Sequence, residues 1–297
     1  MSKWLPDVLP TDRIVDVAAR SIAIRLDQVR RYFKRSVKRP GVAENVHQLR
    51  VWSRRADAAL ALYEDLLPSR QLKRLRQTLK RVRRAAGRIR DCDVYAERIA
   101  EDNGQWPVGL RSERMKAQRK LARLFEKLDC GRELKKRTRK LIARLSKRNK
   151  RSRETYLERA RSSLQSLVPA FFAISPGQTS GDEELHRFRI AGKNLRYAME
   201  LLSGAFSEGF RNELYPEFAK LQEKLGAIND LAVGQNRIRE QIEQTRDPAL
   251  LTELSKHSSE TSEELERARQ DFRSWWTPLA AQELRTRFEE FLASSRT

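Results

Sequence analysis

The chain has 297 residues, of which 39% are hydrophobic and 34% charged, and its 62 Lys and Arg against 40 Asp and Glu give a formal net charge of +22. This is too apolar for a wholly disordered chain, and long enough for one large core or two domains of ordinary size. Two cysteines, Cys92 and Cys130, exclude a disulfide-stapled scaffold, and the longest uncharged stretch, 162–181, is a poor membrane span because Pro169, Pro176 and Gly177 interrupt it.

The charge is unevenly placed. Residues 1–150 hold 41 Lys and Arg against 17 Asp and Glu, a net of +24, whereas residues 151–297 hold 21 against 23, a net of −2. The first half therefore focuses field lines and attracts a phosphate-rich partner, and the second can contribute only locally. The amino terminus, MSKWLPDVLP, shows neither an extended apolar run nor a small-residue cleavage site, so the expected location is cytoplasmic, with inert thiols.

Strand signals are almost absent and apolar positions recur every three to four residues, which predicts an all-α chain. A first helix over 12–38 is stopped by Pro40 and Gly41, and a second over 44–67 by Pro68. Ser69 can cap a third, running to about residue 101, followed by a loop at 102–109. Then come a helix at 111–128 and one long basic helix at 132–167. The Pro/Gly/Ser-rich stretch 175–181 divides the chain into bundles of residues 1–174 and 175–297. In the second, Asp182 is a candidate N-cap for a helix to about 202, with Glu183 and Glu184 in its first turn. Helices at 211–244, 249–271 and 278–293 complete the series, with Pro216 moving the start of the first of them later. Short connections imply antiparallel neighbours.

The third helix carries two adjacent lines. Leu72, Leu75, Leu79, Val82, Ala86 and Ile89 form one apolar stripe, and Lys73, Arg76, Lys80, Arg83, Gly87 and Arg90 follow one residue later as a rail of cations broken by one glycine. A solvated Arg/Lys face is the simpler explanation of the rail. Against it, Lys80 with Arg84 and Arg84 with Arg88 repel at i,i+4 without an acidic residue in the run, a cost that a polyanion would remove.

One histidine-led pattern occurs twice. HQLR at 47–50 precedes GRIRD at 87–91, and HRFR at 186–189 precedes GAIND at 226–230, so both copies have the same internal spacing and an offset of 139 residues. Such duplication predicts two halves that fold alike, hence a pseudo-symmetric pair of antiparallel helical bundles. His47, Arg50 and Arg54 share one helix face bordered by Arg55. His186, Arg189 and Lys193 repeat the same steps, with Asn194 beside them and Arg196 and Tyr197 one turn on. Guanidinium forks and ammonium groups at these steps suit repeated phosphates. Asp91, Asn229 and Asp230 are candidates for orienting those cations, since Asp91 and Asp93 point to different sides of a helix and make a weak carboxylate pair. Neither repeated histidine has companions at metal-ligand spacing, so no metal or other cofactor is expected.

The segments HQLRVWSRR, GRIRDCD, HRFRIAGKNLRY and LQEKLGAIND, in this order and spacing, resemble the conserved-histidine α-helical domain family, called CHAD, over about residues 10–292. The resemblance implies two pseudo-symmetric helical bundles around a basic central cavity that binds inorganic polyphosphate, without catalysis. By position it implies a phosphate path lined by His47, Arg50, Arg54, Arg55, Arg83 and Arg90 in one half, and by His186, Arg189, Lys193, Asn194, Arg196 and Tyr197 in the other. Asn229 stands at the slot of Arg90, and Ala227 at that of Arg88, which weakens the second half's grip. Recruitment to polyphosphate granules is an associated expectation.

Two other functions compete. Charge alone fits a nucleic-acid-binding helical protein; few aromatics interleave with the cations for base stacking, but Trp52 and Tyr197 keep the option open. A metal-dependent phosphohydrolase using Asp91, Asp93 and Asp230 is the weaker alternative, because the spacing supplies charge neutralisation more convincingly than an in-line nucleophile.

Overall fold

Apolar residues at helical steps, with Pro and Gly placed between the runs, leave each segment one face to bury, and helix-on-helix packing is how that face is covered. The computed structural model describes residues 2–103, 109–128, 130, 132–177 and 180–293. Its helices in chain order are α1 (Ile14–Lys38), α2 (Ala43–Leu62), α3 (Ser69–Asn103), α4 (Leu110–Lys127), α5 (Arg132–Arg148), α6 (Tyr156–Phe172), α7 (Asp182–Leu202), α8 (Tyr215–Gln244), α9 (Pro248–Trp275) and α10 (Pro278–Ala293). Among the described residues the fold is all-α, with a single antiparallel bridge between Arg13 and Thr155. Most of the loop expected at 102–109 lies outside the described residues.

The expected continuous helix at 132–167 is two helices. Thr155 ends the intervening turn with a capping box: its hydroxyl accepts the Glu158 N–H (3.2 Å) while the Glu158 carboxylate accepts the Thr155 N–H (2.7 Å). Asn149 gives its amide to the carbonyls of Leu66 and Leu145, and the Ile14 N–H donates to Glu154 O (2.9 Å). Past the break the Tyr156 and Leu157 N–H groups donate to Asp12 O (2.8 Å) and Pro10 O (3.0 Å), so backbone groups released there are satisfied from outside the helix. Similarly, the second helix stops at Leu62 and yields a short 3-10 turn, Glu64–Leu66. Asp182 is not the cap of α7. Gly181 occupies that position, its N–H donating to Glu184, and Asp182 pairs with Arg269.

The chain divides into two compact units, Met1–Arg159 and Ala160–Thr297, so the junction falls near the start of α6, upstream of the 175–181 stretch. In the first unit α1 packs on α2, α4 and α5, and α3 packs on α2 and α4. The apolar stripe of α3, from Leu72 to Ile89, is wholly buried, and Phe33 meets Phe125 edge-on. Burial pushes the Tyr63 phenol up to about 12. In the second unit α8 packs on α7 and α9, around an aromatic cluster in which Phe171 stacks on Phe188 and meets Phe218 edge-on. Residues 210–214 form a π-helical turn that leads into α8, which starts at Tyr215 with Pro216 in its first turn, where a missing N–H costs nothing.

Candidate functional site

In the first unit the site is built where α2 crosses α3. The apolar side of α2 buries Val46, Leu49, Trp52 and Ala56, leaving His47, Arg50 and Arg54 half-buried along its flank. Arg50 reaches across to α3, where its Nη1 donates to Asp91 Oδ1 at 3.3 Å. A Cβ placed on Gly87 would lie 3.1 Å from that same Nη1, so the glycine admits the guanidinium to the surface of α3. Burial, then the neighbouring Arg54, lowers the Arg50 pKa, and the Asp91 pairing only partly offsets this. His47 is also lowered, first by burial and then, against the pull of Glu44, by the charges of Arg90, Arg50 and Arg54. An anion is the partner this electrostatic environment favours.

The cation rail is partly self-neutralised. Asp57 of α2 is shared by Arg83 (2.9 Å) and Arg76 (3.3 Å), and Glu64 takes a second contact from Arg76 (3.2 Å). Arg90 pairs with Glu97 at 3.0 Å. Arg54, Lys73 and Lys80, by contrast, form no salt bridge among the described residues. Beside the rail lies a cleft of about 540 Å³ lined by Lys73, Arg76, Lys80 and Arg83 together with Asp57 and Glu64. Asp57 escaped the sequence reading although the steps 47, 50, 54 and 57 place it on the same face of α2 as the cations. Asp93 is a structural residue: it is 4% exposed and accepts from Arg114 at 2.6 Å, tying α3 to α4.

The second unit repeats the crossing with α7 and α8. Arg189 stands 3.9 Å from Asp230, in the slots of Arg50 and Asp91, and the His186 imidazole lies 3.3 Å from the Asn229 amide oxygen. Asn229 in turn donates to Asp230 (3.1 Å). Lys193 is half-buried and Asn194 exposed on the same helix. The rail is not repeated. Shifted by the repeat offset, Lys73, Arg76, Lys80, Arg83 and Arg90 fall on Asn212, Tyr215, Ala219, Gln222 and Asn229, none of them charged. Asp57 falls on Arg196, so this position is basic in α7 where it is acidic in α2, with no charged residue at the facing rail slots of α8. Arg196 lies 3.6 Å from Glu200, which is 1% exposed, and Tyr215 donates to the same carboxylate at 2.7 Å. Burial, then the Glu200 charge, raises the Tyr215 phenol.

Both aromatic residues beside the cations are covered. Trp52 is 3% exposed with the Arg55 guanidinium 4.9 Å from its ring, and Tyr197 is 7% exposed with Arg196 at 5.0 Å. Neither ring offers a free face to a base. No group of three or more His, Cys, Asp or Glu among the described residues could hold a metal ion, and no helix is long and apolar enough to cross a membrane.

A comparison with protein families matches residues 20–239 to the CHAD domain, a span that takes in both copies of the histidine pattern. The chain belongs to the CHAD family. CHAD is a non-catalytic family. The chain is similar to the crystal structure of the CHAD domain from the plant Ricinus communis, at 20% identity and a TM-score of 0.66, covering 95% of this chain and 93% of that one. It is also similar to PptA from Streptomyces chartreusis, at 16% identity and a TM-score of 0.53, covering 91% of this chain and 98% of that one. At these identities the likeness concerns the fold. The comparison with curated proteins returns no match.

Proposed function

We propose that this CHAD chain binds long-chain inorganic polyphosphate, with the α2/α3 face as the main grip and the α7/α8 face as a weaker second one. The observation that carries the reading is the duplicated crossing: in each unit an arginine three residues after the histidine is steered by a carboxylate on the facing helix, Arg50 by Asp91 and Arg189 by Asp230. Oriented guanidinium groups backed by mobile lysines suit a ligand that repeats the same charge and has no base to read. In this reading His47, Arg50, Arg54, Arg76, Lys80, Arg83 and Arg90 contact phosphate in the first unit, and His186, Arg189 and Lys193 do so in the second. The basic central cavity implied by the sequence resemblance, and use of both faces by one chain, belong to the same proposal. So does recruitment to polyphosphate granules.

Single-stranded nucleic acid is disfavoured by the covered Trp52 and Tyr197 rings, since non-specific single-strand binding relies on accessible aromatic faces. The test is titration of the purified protein with polyphosphate of defined length at about 0.1–0.15 M salt, with affinity falling as salt rises. Arg50→Ala and Arg54→Ala each weaken binding by about tenfold, and the exposed control Lys147→Ala changes it far less. Absence of binding, or equal losses at all three positions, overturns the proposal. Duplex or single-stranded DNA displacing polyphosphate at equal phosphate concentration points to nucleic acid instead.

A further inference from the structure

The buried stripe of α3 has cations on both flanks. Lys73, Arg76, Lys80 and Arg83 follow it on the side facing α2, while Arg74, Thr78 and Arg81 lie on its other side and line a groove of about 470 Å³ shared with α5. From α5, Glu133, Lys136, Arg137 and Lys140 complete the lining, at steps that put them on one helix face. The groove therefore holds five cations and one carboxylate.

Its floor is fixed. Thr78 is 3% exposed; its hydroxyl donates to Arg74 O (2.9 Å) and accepts from Arg137 Nη1 (2.8 Å), and Arg137 also donates to Glu133 (2.9 Å). The only carboxylate of the groove is thus engaged by the residue at its floor. Arg74, Arg81 and Lys140 are exposed and make no salt bridge among the described residues. In the α2/α3 cleft, two carboxylates already hold Arg76 and Arg83. The groove is accordingly the less neutralised of the two. The second unit does not reproduce it: Arg74 and Thr78 fall, at the repeat offset, on Glu213 and Glu217, which both engage Arg287. No aromatic ring lines the groove, so it offers no platform for a base.

We infer that the α3/α5 groove is a second anion site of the first unit, selective for short condensed inorganic phosphate, with Arg81 and Lys140 as movable arms above a fixed Arg137 fork. Several oxyanions on one small ligand can engage arms from both helices together, which a single phosphate cannot do. The site stands independently of the α2 face.

Titration of the full chain with tripolyphosphate tests it, with helical circular dichroism monitoring the fold. Arg81→Ala with Lys140→Ala weakens tripolyphosphate binding by at least about tenfold, and Arg81→Lys with Lys140→Arg restores most of it. Arg50→Ala with Arg54→Ala leaves the groove phase in place. Unchanged binding in the folded Arg81/Lys140 alanine variant overturns the inference, as does complete loss in the Arg50/Arg54 variant alone. A short oligonucleotide competing as well as tripolyphosphate at equal phosphate concentration also overturns it. If the groove variants act as stated while Arg50→Ala and Arg54→Ala leave long-chain binding untouched, the groove stands and the α2-face reading fails.

Discussion

Gly87 allows the site geometry to be perturbed without changing its charge. A Cβ at this position would lie 3.1 Å from Arg50 Nη1 and 3.9 Å from its Cζ, so Gly87→Ala pushes the guanidinium a few tenths of an ångström away from α3 and from Asp91. Within a helix, Gly→Ala also stabilises the fold by about 0.5–1 kcal/mol. Gly226 is its counterpart in α8, and there an added Cβ meets nothing within 4 Å. Gly226→Ala therefore supplies the same helix gain without displacing a cation.

The two substitutions separate position from charge. Both raise the melting temperature or leave it unchanged. Only Gly87→Ala weakens polyphosphate binding, by about three- to tenfold, the value of one misaligned charge-assisted hydrogen bond of about 0.7–1.4 kcal/mol. Calorimetric titration at fixed salt reads the affinity, and thermal circular dichroism reads the fold. If Gly87→Ala binds as the parent does, or Gly226→Ala weakens binding equally, the ligand responds to overall charge and not to the placement of Arg50.

Four further outcomes follow from the structure. Because the folded His47 pKa lies below 6.5, the unfolded chain takes up a proton that the folded chain refuses, so stability falls as pH drops from 6.5 toward the folded value; His47→Gln flattens that limb of the denaturation profile. Phosphates at Arg50, Arg54 and Arg90 offset the repulsion on His47, so ligand binding below neutrality takes up a proton, seen as a binding heat that depends on buffer ionisation. Gly192→Ala puts a Cβ 2.0 Å from the buried Gln222 amide and 3.2 Å from Phe171, which lowers stability by about 1–3 kcal/mol in urea; Gln222→Ala in the same chain relieves most of it. Asp57→Asn removes the carboxylate that Arg83 pairs with and one of the two that hold Arg76, Glu64 keeping the other, which lowers stability in urea by about 0.5–1 kcal/mol while tightening polyphosphate binding at low salt.

How far the sequence could be read depended on the kind of signal. The α3 stripe and the duplicated His-x-x-Arg faces are periodic, and periodicity survives folding because it fixes which side of a helix can be buried. The repetition of Asp91 as Asp230 marks both as candidates for orienting cations, but which arginine each one holds is not contained in the spacing. The turn at 149–155 was missed because charged residues with good helix propensity run through it, even though Thr155 and Glu158 spell a capping box. The α3/α5 groove was not legible: Arg74, Arg81 and Lys140 look like ordinary surface charges until α5 is laid beside α3. The covering of Trp52 and Tyr197 by Arg55 and Arg196 is likewise a rotamer outcome that spacing does not determine.

The unequal rails explain how two copies of one pattern can carry different shares of a ligand. In the first unit the acid sits on α2 and the cations on α3, so Asp57 organises arginines that remain half-exposed; in the second the arginine sits on α7 and is drawn toward the buried Glu200. The same crossing of helices is used once to present charge and once to satisfy it internally. Grafting the rail should therefore move function. Ala219→Lys and Asn229→Arg place cations at the slots of Lys80 and Arg90 without touching Glu200, Tyr215 or the aromatic cluster. Each new phosphate contact should steepen the slope of log affinity against log salt by about 0.7–0.9, so the double variant gains affinity most at low salt and loses it faster as salt rises. Replacing Asn229 removes its contact with His186, a loss that the added guanidinium outweighs only if phosphate reaches α8. An unchanged salt slope with intact folding would place the ligand on the first unit alone and remove the α7/α8 face from the binding site.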